Sequence, residues 1–122
     1  MKKSVCALII RNGLALCVSR KDDPNDFGLP GGKVDQGETL EDAMEREVLE
    51  ETGYSVFNTS ELTYTATIGD YEVTTYLTKA SSIAADIDEC ETGVVKWMDP
   101  SVLCTGSYAS YNQAALKHFG VL

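Results

Sequence analysis

The chain has 122 residues, 43% of them hydrophobic, with 10 Lys and Arg against 19 Asp and Glu. That length suits one core and is short for two, so a single domain over 1–122 is expected. A net charge of −9 and a pI near 4.4 exclude a broad basic surface for nucleic acid, and no apolar run approaches the roughly 20 residues that span a bilayer.

Any phosphate substrate would therefore need a cation to bind here. The opening MKKSVCALIIRNG is too short and too soon charged for a signal peptide, so an intracellular, cytoplasmic location is expected. Cys6, Cys17, Cys90 and Cys104 form no CxxC pair and no Cys/His ligand spacing. They read as reduced thiols rather than zinc ligands.

In chain order, the β-branched and apolar runs at 4–12 and 14–21 predict two strands meeting at the hairpin signal Asn12-Gly13. Residues 22–33, DDPNDFGLPGGK, are rich in turn formers and predict a loop with a short extended piece at Phe27 to Leu29. A helix follows from Leu40 to Thr52, with Thr39 as N-cap and Gly53 just past its end. The alternation at 61–80, broken at Gly69-Asp70, predicts a second hairpin. A polar connection at 81–93, a strand at 94–99 and a closing helix at 110–119 complete the order. The class is α/β, with a mixed sheet and two helices packed as a sandwich.

The first helix and its approach concentrate charge: eight acidic residues between Asp35 and Glu51 face two bases, Lys33 and Arg46. At about 100° per residue, Leu40, Ala43, Met44, Glu47, Glu50 and Glu51 fall on one face. Glu41, Asp42 and Glu45 fall on the opposite, solvated face. Arg46 lies four residues before Glu50 and supplies one ion-pair partner, too few for three inward carboxylates. Desolvated carboxylates without partners imply a shared proton or a metal, and oxygen-only ligands favour the hard cations Mg²⁺ or Mn²⁺. Just upstream, Gly31 and Gly32 permit close backbone approach, so that a turn carbonyl can serve as a further ligand.

In this segment the chain resembles the Nudix hydrolases. Gly32, Glu38, Arg46, Glu47, Val48, Glu50, Glu51 and Gly53 all match the family pattern in register, and Tyr54 replaces its last aliphatic residue. The resemblance implies an α/β/α sandwich with a mixed central β-sheet. It also implies Mg²⁺-dependent hydrolysis, with Mn²⁺ as a substitute, of a nucleoside diphosphate linked to another moiety. The expected substrate is a nucleoside triphosphate or modified purine nucleoside triphosphate, giving the monophosphate and pyrophosphate. Alternatives are a nucleotide sugar or dinucleoside polyphosphate as substrate, a non-catalytic nucleotide-binding module, and a structural protein with an acidic divalent-ion site.

By the same resemblance Glu50, Glu51 and the Gly31 carbonyl are metal ligands, and Glu47 is a ligand or the base that orients water. Arg46 holds Glu50 or Glu47 in its rotamer, and Glu38 braces the loop. Outside this box, Glu91 stands six residues before Trp97, like the extra metal-binding glutamate of MutT-type members, with Glu89 and Asp88 as competitors. Asn112 is placed like the asparagine with which MutT-type members read a purine, and equally like an N-cap. Phe27, Leu29 and Lys33 join the substrate-binding set; Phe27, Leu29, Tyr76 and Trp97 either frame a base or belong to the core. His118 is expected to pack or to meet the helix dipole. The partner expected is a small nucleotide, for a monomer or homodimer.

Overall fold

The computed structural model describes residues 1–57, 62–81 and 93–122. Among these the order is β1 (Lys2–Arg11), β2 (Leu14–Arg20), β3 (Asp23–Gly28), β4 (Gly31–Lys33), α1 (Leu40–Thr52), β5 (Val56–Phe57), β6 (Thr63–Ile68), β7 (Tyr71–Ala80), β8 (Val95–Met98), a 3₁₀ turn (Pro100–Cys104) and α2 (Ala109–His118). No helix among the described residues is long and apolar enough to cross a membrane.

β1 organises the molecule because its near-continuous apolar run is buried on both faces. Val5, Ala7 and Ile9 pack with Ala43, Met44 and Val48 of α1. The alternate residues Cys6 and Leu8 pack with Tyr111, Ala115 and Leu116 of α2. One strand thus holds a helix on each side, the α/β/α sandwich expected from the sequence. The sheet is mixed: β1 runs parallel to β7 and antiparallel to β2 and β4.

Both predicted hairpins form. Asn12 and Gly13 adopt positive φ (53° and 79°), the left-handed pair that a two-residue turn between twisted strands requires. β6 and β7 pair antiparallel across Gly69-Asp70. On β6 the exposed Thr63, Thr65 and Thr67 alternate with half-buried Tyr64, Ala66 and Ile68, and among the described residues this strand pairs only with β7.

Three features differ from expectation. The predicted loop at 22–33 contains two strands: β3 pairs with β2, and β4 pairs with β1 from Ser4–Lys33 to Cys6–Gly31. Local turn chemistry is overridden there by ladder pairing, and Pro24 is accommodated near the start of the outer strand β3. The short β5 and the 3₁₀ turn carry too few residues for a periodic signal. The closing helix begins at Ala109, with Tyr108 as its N-cap residue and no side-chain cap bond.

These pairings open the active region. β1 and β2 pair only at Ile10–Ala15 and Arg11–Leu14, beside their turn, and then separate, β1 toward β4 and β2 toward β3 and β8. Between the separated strands lies a cavity of about 470 Å³.

Candidate active site

α1 is fixed at both ends as its sequence predicts. The Thr39 hydroxyl accepts from the Asp42 N–H (3.1 Å), and Gly53 at φ 77° sends its N–H to the Leu49 carbonyl. With Met44 and Val48 fully buried, the rotation of the helix is set, and with it the direction of each glutamate.

Glu51 points toward β4, where its Oε1 accepts from the Gly31 N–H at 2.7 Å. Burial pushes its pKa up to about 7, the Gly31 hydrogen bond opposes this, and the nearby Glu47 and Glu50 charges add to the rise. Glu47 lies against Gly32 so closely that a Cβ there would meet its Oε1 at 2.7 Å. Its side chain is 17% exposed, and its pKa is raised, chiefly by burial. A Cβ at Gly31 would instead strike backbone, the Val5 carbonyl and Cys6 Cα. The two glycines therefore do different work: Gly31 lets β4 lie against β1, and Gly32 makes room for a carboxylate.

Glu50 departs from expectation. Its side chain is 51% exposed rather than directed inward, and it meets Arg46 Nη1 at 3.3 Å. Arg46 also does more than hold one rotamer. Nε and Nη2 donate to the two oxygens of Glu38 (2.8 and 2.9 Å), Nη1 donates to Glu47 (2.9 Å), and Nη2 reaches the Lys33 carbonyl (3.2 Å) and lies 3.3 Å from Asp35. Glu38 in turn accepts from the Asp35 N–H at 2.9 Å, so it braces the loop as expected. Its hydrogen bonds with Arg46 hold its pKa down to about 2. One guanidinium spans four carboxylates because three of them sit at the helix edge or in the loop. As a result, among the described residues no three acidic, His or Cys side chains gather tightly enough to cage a metal.

The cavity beside this network is lined by Glu51, Gly31, Gly32 and Lys33 on one side and by Phe27 and Leu29 of the opposite sheet half. Phe27 and Leu29 line the cavity and also pack in the core. Tyr76 and Trp97 do not frame the cavity: both belong to the cluster under α1, where Trp97 Nε1 donates to the Tyr54 hydroxyl at 3.2 Å. His118 packs edge-wise between Tyr64 and Phe119. Glu91, Glu89 and Asp88 lie outside the described residues.

Asn112 is not an N-cap. It lies inside α2, is 3% exposed, and its Nδ2 donates to the Leu103 carbonyl at 3.1 Å. Its Oδ1 takes no hydrogen bond among the described residues. Every fully buried polar side-chain atom described there has a partner, so Oδ1 retains an opening, and the cavity that Asn112 lines provides it. Sequence reading passed over Arg20, Asp26, Tyr71 and Tyr108, which also line this space. They come from separate elements and share no spacing pattern.

The NUDIX domain family model matches residues 1–118. The chain belongs to the Nudix family. It is 38% identical over 95 residues to a Bacillus subtilis protein provisionally named 8-oxo-dGTP diphosphatase, a match covering 72% of this chain and 59% of that protein. The chain thus spans less than two thirds of that relative. A MutT Nudix hydrolase from Burkholderia pseudomallei shares the fold at a TM-score of 0.66 and 27% identity, covering 82% of this chain and 84% of that one. A C. elegans Ap4A hydrolase superposes at a TM-score of 0.80 over 96% of this Nudix chain and 95% of its own, at 19% identity, which speaks for the fold alone.

Nudix hydrolases generally use divalent metal ions, and the donor set here fits one. Glu47 and Glu51 offer oxygen ligands only, at adjacent glycines, and burial raises the pKa of both. Two carboxylates suit a hard ion that keeps waters and takes the rest of its shell from phosphate oxygens.

Proposed function

We propose that this Nudix chain hydrolyses a purine nucleoside triphosphate to the monophosphate and pyrophosphate, with Mg²⁺ as its cofactor and Mn²⁺ as a substitute. The observation that carries the reading is the pairing of Glu51, buried against the Gly31 amide beside Glu47, with a cavity into which Asn112 turns a free acceptor.

Water adds to a phosphorus, the P–O bond to the leaving phosphate breaks, and one proton is released. Glu51 and the Gly31 carbonyl would hold the cation, and Glu47 would join them or take up that proton as the base. Such an ion would supply positive charge against the phosphates and acidify water. Arg46 keeps Glu47 in place and pairs with Glu50 at the helix edge, while Glu38 anchors Arg46. Lys33 on β4 would face the phosphates, and Glu91, outside the described residues, is carried into this reading by the sequence resemblance alone. Phe27 and Leu29 provide the apolar wall, and Asn112 Oδ1 accepts from an N–H of the base. A cytoplasmic monomer or homodimer fits the free thiols of Cys6, Cys17 and Cys104.

Nucleoside triphosphates, oxidised nucleotides, nucleotide sugars and dinucleoside polyphosphates should each be incubated with Mg²⁺ and the products separated by ion exchange. A purine triphosphate giving pyrophosphate at the highest kcat/KM is expected. Release of orthophosphate alone, or turnover confined to another class, would overturn the reading.

A further inference from the structure

Tyr108 occupies an unusual position for an aromatic residue. It lies on the wall of the cavity, its residue surface is 51% exposed, and among the described residues its side chain makes no hydrogen bond or ring contact. Large aromatic surface is normally buried or engaged, and an exposed ring on a rigid mount beside a concave site marks a contact for something else.

The mount is rigid. The turn carrying Tyr108 is fastened to β3 across 81 residues of sequence by Asp26, whose Oδ1 accepts from the Ser107 N–H at 3.0 Å and whose Oδ2 accepts from the Ser107 hydroxyl. Asp26 is itself only 14% exposed on its side chain. Gly106 is required for this approach, because a Cβ would meet Asp26 Oδ1 at 2.5 Å and the Phe27 carbonyl at 2.8 Å. The Gly106 carbonyl then accepts from the Ala109 N–H (3.1 Å), and the Tyr108 carbonyl accepts from the Asn112 N–H (2.9 Å), which starts α2. The clasp thus fixes Tyr108 and, one helical turn on, Asn112 with its unpartnered Oδ1. An in-plane acceptor and a free aromatic face, held by one turn over one cavity, are the two contacts that a planar heterocycle with an N–H edge requires.

We propose that Tyr108 stacks on the base of the nucleotide and that the Asp26–Ser107 clasp is the positioning device that holds it there. This rests on the nucleotide-hydrolase reading above and adds a specificity-determining residue to it. Stacking on an aromatic side chain contributes about 1–3 kcal/mol per base, so removal of the ring should act on binding and leave the bond-breaking step alone.

The test is steady-state kinetics on the whole chain with a purine nucleoside triphosphate and Mg²⁺, with inorganic tripolyphosphate as a competing, base-free probe. Tyr108→Ala should raise KM roughly 5- to 150-fold. Its kcat should stay within about twofold, and the inhibition constant of tripolyphosphate should not move. Tyr108→Phe should retain the wild-type KM. Ser107→Ala and Asp26→Ala should each raise KM, and each should raise it by a smaller factor in the Tyr108→Ala background than in the wild type, because the clasp acts in part through that ring. Tyr108 is half exposed, so its variants are expected to fold, with an unchanged circular dichroism spectrum as the check, and its arm stands even if Asp26→Ala does not fold. An unchanged KM in Tyr108→Ala, or an equal loss of tripolyphosphate binding, overturns the stacking role while the hydrolase reading survives. A wild-type protein that cleaves no nucleoside triphosphate overturns both.

Discussion

The two ends of the cavity are built by opposite strategies. The carboxylate end comes from one stretch, residues 31–53, in which a glycine pair, a capped helix and one arginine arrange every group within a few turns of chain. The far end is assembled from β3, the turn before α2 and α2 itself, joined by contacts such as Asp26 to Ser107 that span 81 residues. A local site holds its geometry through helix caps and a short loop. A non-local site holds its geometry only while the whole sheet is intact. Substitutions should therefore separate chemistry from recognition.

The largest effect should come from the carboxylates. Glu47→Gln and Glu51→Gln are each expected to lower kcat by about two orders of magnitude or more, as when electrostatic transition-state groups are removed. Far-ultraviolet circular dichroism should stay unchanged, and Glu45→Gln on the solvated face should keep near-normal activity. Full activity in Glu51→Gln would dissolve the distinction between the two ends.

Arg46→Met should follow, with a loss of about 10- to 100-fold in activity or metal affinity, the range seen when groups supporting metal ligands are removed. Isothermal titration with Mg²⁺ and an activity assay read both. The adjacent glycines sharpen the point further. Gly31→Ala places a methyl against β1 backbone and should cost stability, about 1–3 kcal/mol as in other overpacked sites, read as a lower Tm. Gly32→Ala meets only the movable end of Glu47 and should lower kcat with a smaller change in Tm.

At the far end, Asn112→Asp tests recognition. If Asn112 capped α2, this change would be neutral for stability. Because Nδ2 donates to the buried Leu103 carbonyl, the substitution removes that donor and should lower Tm; repulsion between the new carboxylate and the carbonyl should also displace the acceptor that faces the base and raise KM for purine triphosphates.

The smallest effect is a pH dependence in metal-free protein. Glu51 has a folded pKa of about 7 against an ordinary value of 4.5, so between these values the folded form holds more protons than the unfolded form. Stability should therefore fall as pH rises through that window, read as a falling Tm. Glu51→Gln should flatten the slope, which separates this group from the general repulsion of an acidic chain. A slope unchanged in that variant would show that Glu51 is not the cause.

Legibility in the sequence followed the same division. The limits of α1, both caps and the two hairpins could be read because each signal lies within a few residues of its effect. The inward set of three carboxylates could be read only in part, since helical projection cannot tell that Arg46 draws Glu50 to the edge. β3 and β4 were hidden by turn-forming residues that the ladder with β2 and β1 overrides. Asn112 was ambiguous because its anchor, Leu103, lies in a 3₁₀ turn with no periodic signature. Gly106, Ser107 and Tyr108 gave no signal, as their meaning depends on an aspartate in another strand.

The outer edge of β6 has a consequence for handling the molecule. From Thr63 to Ile68 the strand carries no charge, and among the described residues its outer hydrogen-bonding groups meet no second strand. Such an edge is a template for pairing with another copy. A charge of −9 on every molecule opposes such pairing. That barrier weakens as added salt shortens the screening length to about 10 Å at 0.1 M and about 3 Å at 1 M. Concentrated stocks should thus stay clear longest in dilute buffer above the isoelectric point, and clouding on salt addition would originate at this strand.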